Sequence, residues 1–175
     1  LSESISMYWQ FRNEAKEQNL SADNQNPTNY QGIHTGIQRT QKFRYQINYN
    51  LSANWKASNR LQINKFRKEQ KEKGFSFYQD LIYSPEESAF SGSARISFFD
   101  TESFFTRVYN YERDLLYAFS IPFFYGKGMR FYLNTKYEIS ENIDLWAKIA
   151  HTSYADQISD KLLVTECKMQ AIIRF

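Results

Sequence analysis

The residue types that most often carry catalysis or bind metals are sparse in this sequence. There are two histidines, His34 and His151, and neither has a Cys or His neighbour at the spacing of a metal site. The single cysteine, Cys167, shares the parity of apolar neighbours and is most simply a small hydrophobic residue. No Gly-x-Ser-x-Gly motif or phosphate-binding loop occurs. We therefore predict no metal, no cofactor and no enzymatic activity.

Charged side chains instead recur at alternate positions of several segments, and a period of two predicts strands with one polar and one apolar face. The clearest segment is 163–175, where every second residue is uncharged and the residues between them are mostly polar. A two-faced strand ending in Phe is typical of the closing strand of an outer-membrane β-barrel. We expect lipid contact from Leu163, Met169, Ala171, Ile173 and Phe175. The alternative is a strand of a water-soluble sheet with a core behind its apolar face.

The same alternation recurs along most of the chain, in residues 2–12, 42–51, 55–64, 75–83, 90–98, 129–139 and 143–150. Most of these segments are longer than the usual strand of about five or six residues. They match the roughly 9–11 residues that a membrane-spanning strand needs. We predict one domain, residues 1–175, with an all-β fold. Its form would be an antiparallel up-and-down transmembrane β-barrel of eight to ten strands, or the C-terminal part of a larger barrel.

Composition separates these possibilities from other classes. The mean hydropathy is −0.66, and no apolar run reaches the ~18 residues of a transmembrane helix. A barrel remains possible, because only alternate residues face lipid. The net charge of +3, from 22 basic and 19 acidic residues, is too balanced to indicate a nucleic-acid surface. No signal peptide is visible in this sequence, which begins at Leu1 rather than Met. We expect either a removed targeting segment or a longer protein.

The connections predict two different rims. Short turns at 52–54, 84–87 and 140–142 should lie on the side of the C-terminus, the periplasmic side of such a barrel. Polar residues 13–30 and the charged run 65–73 predict longer loops.

Residues 104–125 are ambiguous. The part 104–111 is compatible with a strand followed by a turn at 112–114, but Leu115–Phe124 is almost entirely apolar and contains Pro122. It is either a short strand plus a loop or a segment packed into or over the barrel. Parity requires that 104–125 supply two passes or none. Leu115–Phe124 is also the best candidate for a contact surface.

The polar parity defines a set of residues expected to line the barrel interior. They are Arg44, Arg60, Arg95, Arg130, Lys136, Glu138, Lys148, Glu166 and Lys168. In a small barrel such residues would pair across the lumen and fill it. In a wide barrel they would form a lining that favours anions.

Several blocks of sequence resemble a known family. They are residues 79–85, 99–101, 107–132, 144–146 and 174–175. These blocks are similar to the C-terminal barrel region of the helix-hairpin-helix domain-containing outer-membrane proteins of Bacteroidetes, over about Trp55–Phe175. The resemblance implies an outer-membrane location and the end of a larger barrel. The signal peptide and periplasmic modules of that family are not in this sequence, so no DNA-binding residue carries over.

Two functions follow as expectations. The first is an integral outer-membrane barrel with a structural or interaction role, as a subunit of an envelope assembly. The alternative is a transport barrel for anions, nucleic acid or other solutes. A barrel enzyme would depend on His151. Expected partners are outer-membrane lipid, the barrel assembly machinery through the C-terminal strand, and other envelope proteins. Nucleic acid is not an expected partner of this segment.

Overall fold

Eight long strands form one antiparallel sheet in a computed structural model that describes residues 4–19, 35–68, 70–155 and 162–175. The sheet order is β1-β2-β3-β4-β5-β8-β9-β10, so each strand pairs with its neighbours along the chain. The sheet strands are β1 (Ile5–Asn19), β2 (Thr35–Asn50), β3 (Trp55–Arg67), β4 (Lys71–Tyr83), β5 (Phe90–Thr101), β8 (Gly126–Ser140), β9 (Ile143–Tyr154) and β10 (Leu163–Ile173). The predicted all-β, antiparallel up-and-down fold is confirmed. In the part of the chain that the structure describes, no helix has the length and apolarity needed to cross a membrane.

Between β5 and β8 the chain leaves the sheet and lies across one of its faces. We call residues 102–125 the covering segment. It contains a short 3-10 helix (Phe104–Thr106) and a small hairpin of β6 (Val108–Tyr109) and β7 (Phe123–Phe124). Pro122 fits here because only its carbonyl is used, as acceptor from the Asn110 N–H at 3.2 Å. Of the predicted alternatives, the segment packs over the sheet and adds no pass to it.

Each of the two outer strands of the sheet has one edge with no partner among the described strands. β1 pairs with β2, and β10 pairs with β9. Within the described ranges, β1 and β10 do not pair with each other, so these eight strands form an open sheet.

The predicted loop at Lys65–Lys73 is wrong. β3 continues to Arg67 and β4 begins at Lys71, and these two residues are cross-strand partners. β1 likewise extends to Asn19, into the predicted loop 13–30, whose remainder (20–30) lies outside the described residues. Hydrogen-bond pairing continues here although most of the residues are polar or charged, and alternation is not visible without a continuous apolar face.

The short turns lie together at one rim of the sheet, as predicted. They connect β2 to β3 (51–54), β4 to β5 (84–89) and β8 to β9 (141–142). Backbone hydrogen bonds join neighbouring parts of this rim, from the Ser84 N–H to the Asn54 carbonyl and from the Arg174 N–H to the Asn142 carbonyl, both 2.9 Å. The covering segment leaves and rejoins the sheet at the opposite rim.

The burial of the two faces is the reverse of that in a water-soluble sheet. The face that carries Phe131, Ile149 and Met169 is exposed; we call it the apolar face. The other, the polar face, lies partly beneath the covering segment and buries Arg95, Arg130 and Lys148, among others. An apolar cluster of Phe99, Val108 and Phe124 lies where the covering segment rejoins the sheet.

The apolar residues of the exposed face form a band that crosses the strands obliquely. On β3 and β4 the band ends with Trp55 and Tyr83, which are cross-strand partners. Met169 of β10 belongs to the same row of partners. However, Ala171 and Ile173 continue the apolar pattern beyond Met169. From β3 to β10 the band therefore shifts along the strands toward the short-turn rim, so it runs at an angle to the rows of cross-strand partners. A sheet whose strands are tilted relative to the band has this geometry.

Candidate functional site

The structure places the nine residues predicted to line an interior on one face of the sheet. Strand registers put Arg44, Arg60, Arg95, Arg130, Lys136, Glu138, Lys148, Glu166 and Lys168 on the polar face. Leu163, Met169, Ala171 and Ile173 lie on the apolar face, and Phe175 follows β10 at the short-turn rim, fully exposed.

Arg95 and Asp80 form a buried ion pair near the centre of the polar face. They are cross-strand partners on β5 and β4. The guanidinium binds both carboxylate oxygens, with Nη2 to Oδ2 at 2.6 Å, and Ser58 also donates to Oδ2 at 3.2 Å. The guanidinium lies 3.7 Å from the ring centroid of Tyr78. The geometry is the bidentate arrangement that favours arginine over lysine at such a site.

A larger ionic cluster joins the covering segment to β8, β9 and β10. Arg130 donates to Glu112 through Nε at 2.7 Å and through Nη2 at 3.0 Å, and its Nη1 reaches Glu166 at 3.2 Å. The Lys148 ammonium lies 3.3 Å from Glu112 and 3.4 Å from Asp114. Three cations therefore meet three carboxylates, with the sixth member, Lys168, 2.7 Å from Asp114. Balanced charge makes burial of the cluster tolerable, since a buried unpaired ion would be costly.

The covering segment is also held through its main-chain carbonyls. Asn64 of β3 donates to the Arg107 carbonyl at 2.8 Å, and Arg95 Nη1 donates to the Tyr111 carbonyl at 2.6 Å. Asn134 of β8 donates to the Asp114 carbonyl at 3.0 Å, and Gln170 of β10 to the Leu116 carbonyl at 3.1 Å. Polar side chains of four strands thus satisfy backbone acceptors of a segment that has few hydrogen bonds of its own.

The environment of Asp114 favours its ionised form. Burial alone would raise its pKa. The hydrogen bond from Lys168, the Leu115 N–H donor and the charge of Lys148 outweigh that effect and hold the pKa of Asp114 below its usual value.

The part of the polar face over β2 and β3 is different. Arg44 donates to the Gln62 amide oxygen at 3.1 Å, and Arg60 donates to that of Gln46 at 2.8 Å. Among the described residues no carboxylate lies within 4.0 Å of either guanidinium. Arg60 lines a cleft of about 340 Å³ beside Asp80.

A third cluster lies at the short-turn rim. Asp144 pairs with Arg174 and, at 3.5 Å, with Lys136, which also pairs with Glu138. Arg174 therefore links the end of β10 to the start of β9 through its side chain and to the turn residue Asn142 through its N–H.

Glu112 and Asp114, the acidic partners in the larger cluster, were missed by the sequence analysis. The sequence predicts a turn at 112–114, whereas in the structure Glu112 is buried and Asp114 contacts two lysines. The available signal was charge balance, because the predicted interior residues carried excess positive charge while two acids stood in an otherwise apolar region.

His151 and Cys167 lie on the apolar face. The His151 Nδ1 is 2.9 Å from the Thr165 hydroxyl, and Cys167 is exposed. In the ranges that the structure describes, no three His, Cys, Asp or Glu side chains come together as metal ligands would. Comparisons with protein families, with curated proteins and with solved structures give no match.

Proposed function

We propose that this sheet is part of the wall of an outer-membrane β-barrel, with its apolar face in lipid and its polar face toward the lumen. The observation that carries the proposal is the reversed burial of the two faces. Ionic side chains lie beneath the covering segment, while Phe, Ile, Leu and Met side chains face outward. This is the arrangement of a transmembrane barrel wall. The family resemblance over Trp55–Phe175 points to the same location, a bacterial outer membrane.

Aromatic residues at the short-turn rim support the proposal. Trp55 packs on Tyr83 with ring centroids 4.7 Å apart, and Tyr83 neighbours Phe90 at 6.3 Å. Tyr137 is the cross-strand partner of Phe90. These four side chains lie in two adjacent rows of the apolar face near the short-turn rim, as the aromatic girdle of a barrel does at the membrane interface.

The role we propose is structural or interactive rather than conductive. The covering segment lies over β5 and β8 to β10 and over one end of β3 and β4, and ion pairs hold it there, so in a barrel it would act as a plug. The unpaired edges of β1 and β10 must gain partners in a membrane, because unsatisfied backbone groups are costly in hydrocarbon. Further strands of a larger barrel would supply them.

Tryptophan quenching by brominated lipid tests the orientation of the sheet. Trp9 and Trp55 lie on the apolar face, at 72% and 39% exposure, whereas Trp146 lies on the polar face with its indole nitrogen buried. Three single-tryptophan variants, with Phe at the other two positions, are refolded into vesicles. We expect strong quenching of Trp9 and Trp55 and weak quenching of Trp146. Equal quenching of all three, or none in vesicle-bound protein, would contradict the proposal.

The uncompensated arginines favour a second candidate, an anion-selective passage beside the covering segment. Among the described residues Arg44 and Arg60 donate to amide oxygens and pair with no carboxylate, whereas Arg95 and Arg130 are already neutralised. If this function holds, planar bilayers will show anion-selective conductance, and R44Q/R60Q will reduce the selectivity. The structural role instead predicts no conductance for the native protein.

A further inference from the structure

Five basic residues cluster on the apolar face, at the rim opposite the short turns. They are Arg39, Lys65, Arg67, Lys71 and Lys73, which we call the basic patch. All five are exposed and belong to β2, β3 and β4. Toward the short-turn rim, the same face of these strands continues into the apolar band, with Phe43 on β2, Ile63 on β3 and Phe75 on β4.

The patch stacks like charges directly opposite each other. Arg39 pairs in register with Arg67, and Arg67 pairs with Lys71. In the adjacent row Lys65 pairs with Lys73. Facing like charges on one side of a sheet are destabilising. This arrangement therefore indicates that something else supplies negative charge at this surface.

No carboxylate of the described chain supplies it. None of the five side chains forms an ion pair with a described residue. Glu102 accepts a hydrogen bond from the main-chain N–H of Lys73 at 2.8 Å, and the Glu72 carboxylate accepts one from the Ser103 hydroxyl on the other face. Asp100 pairs with Lys127 at 3.6 Å.

The position of the patch identifies what the anion would be. The row immediately inside the basic rows is Phe43, Ile63 and Phe75, which are cross-strand partners on the same face. Cations directly above an apolar surface match the two layers of a membrane leaflet, where phosphate groups lie outside the hydrocarbon. A soluble polyanion would need no apolar row beside its site.

We propose that the basic patch binds the phosphate headgroups of anionic membrane lipids, in the leaflet at the rim opposite the short turns. This inference rests on the proposed membrane-spanning function. It gives the charged β3–β4 hairpin a specific partner: two rows of cations bridge phosphates of neighbouring lipids, whose acyl chains lie against Phe43, Ile63 and Phe75. Binding would also offset the repulsion within the patch.

The test measures lipid preference at the protein surface. The protein is refolded into phosphatidylcholine vesicles that contain spin-labelled phosphatidylglycerol or spin-labelled phosphatidylcholine, and electron paramagnetic resonance gives the immobilised fraction of each. We expect the protein to prefer the phosphatidylglycerol label. The variant K65Q/R67Q/K71Q should lower the preference for the phosphatidylglycerol label over the phosphatidylcholine label roughly tenfold. The reason is that each cation near an anionic surface adds to the free energy of lipid binding.

The matched control is K16Q/K56Q/R113Q, which removes three cations from the polar face and the covering segment. It should keep the preference for the phosphatidylglycerol label.

Equal loss of this preference in the patch and control variants would overturn the inference, since the effect would then follow net charge. The inference would also be overturned if the protein bound a single-stranded oligonucleotide as strongly as phosphatidylglycerol and the patch variant lost that binding. Absence of preference in protein whose Trp9 and Trp55 are quenched by brominated lipid would overturn this inference alone. Failure of that quenching would overturn the proposed function and this inference with it.

Discussion

At the scale of single residues, the molecule depends on charges that are buried in pairs. A buried ion pair adds little net stability over an apolar pair of the same shape, but removing one partner is costly because the other ion stays buried. The Arg95–Asp80 pair is the sharpest case, with side-chain exposures of 4% and 11%.

We expect Asp80→Asn to destabilise the refolded protein by about 3–5 kcal/mol, since it leaves the Arg95 guanidinium without its counter-charge. Urea unfolding in lipid or detergent measures the loss. The control is Asp100→Asn, whose partner Lys127 is exposed and 3.6 Å away. That change should stay within about 0.5 kcal/mol. Similar losses in the two variants would contradict the role given to the buried pair.

Asp114 predicts an acid-sensitive attachment of the covering segment. The pKa of Asp114 is lower in the folded protein than in the unfolded chain, where an aspartate has a pKa of about 4. Its stabilising contribution is therefore complete above that pH and is lost as the pH falls through the lowered pKa. Trp146 lines a cleft with Leu115 and Leu116 and reports on this contact. In a protein whose only tryptophan is Trp146, acid should release the covering segment, and the change in tryptophan fluorescence would measure the release. Asp114→Asn should weaken docking at neutral pH and converge with the parent in acid. Identical acid midpoints would contradict this.

The sequence places side chains on faces well but says little about their partners. Arg95, Arg130 and Lys148 could be assigned to one face because alternation along a strand is a matter of geometry. The pairing of Arg130 with Glu112 could not, because Glu112 belongs to a segment without periodicity that approaches the sheet only in the folded chain.

At the scale of elements, the covering segment requires a close approach to β4. Gly74 faces it, and a Cβ atom at that position would clash with the Thr106 carbonyl oxygen. Glycine is therefore required by proximity rather than by backbone angle.

We expect Gly74→Ala to displace the covering segment, at a cost of about 1–3 kcal/mol as for other overpacked sites. Faster trypsin cleavage at Arg107 and Arg113 would report the displacement. Gly92→Ala is the control, because a Cβ there meets the Asn134 carbonyl at 3.1 Å and needs only a small shift. Unchanged cleavage in the Gly74 variant would show that the segment does not need this contact.

The C-terminal strand carries a prediction about assembly that rests on the proposed function. β10 has an unpaired edge in the described sheet, and Phe175 follows it, exposed. If the assembly machinery binds this strand, Phe175→Ala should lower several-fold the protease-resistant protein in the outer-membrane fraction of a Gram-negative host. Phe119→Ala removes another exposed ring, from the covering segment, and should leave that amount unchanged. Equal effects would argue against recognition of the C-terminus.

Strand existence could be predicted, whereas strand ends could not. Alternation located all eight sheet strands, but it stopped at Arg12 on β1 and near Lys65 on β3, where both faces become polar. Pairing continues beyond those points because backbone hydrogen bonds do not require an apolar face. The apolar run 115–124 was ambiguous for the opposite reason, since a segment in contact on several sides shows no period.

At the scale of the whole molecule, the fold class and the residues that share each face could be predicted from the sequence. Whether the sheet closes on itself could not. Closure depends on what pairs with β1 and β10, and no pattern within either strand encodes that. The oblique course of the apolar band is a property of the assembled sheet, because it depends on the register of all eight strands.

The covering segment leaves and rejoins the sheet at one point. Thr101 and Gly126, on either side of it, are cross-strand partners, and the Thr101 hydroxyl accepts from the Gly126 N–H at 2.8 Å. A two-residue hairpin could therefore replace residues 102–125 and leave every rung of the β5–β8 ladder intact. If the sheet is a barrel wall, as we propose, excision should open a path for water, and that water would solvate Arg130 and Lys148, which lose Glu112 and Asp114. We expect a strand content similar to that of the parent, measured by circular dichroism, and a current across planar bilayers that the parent lacks.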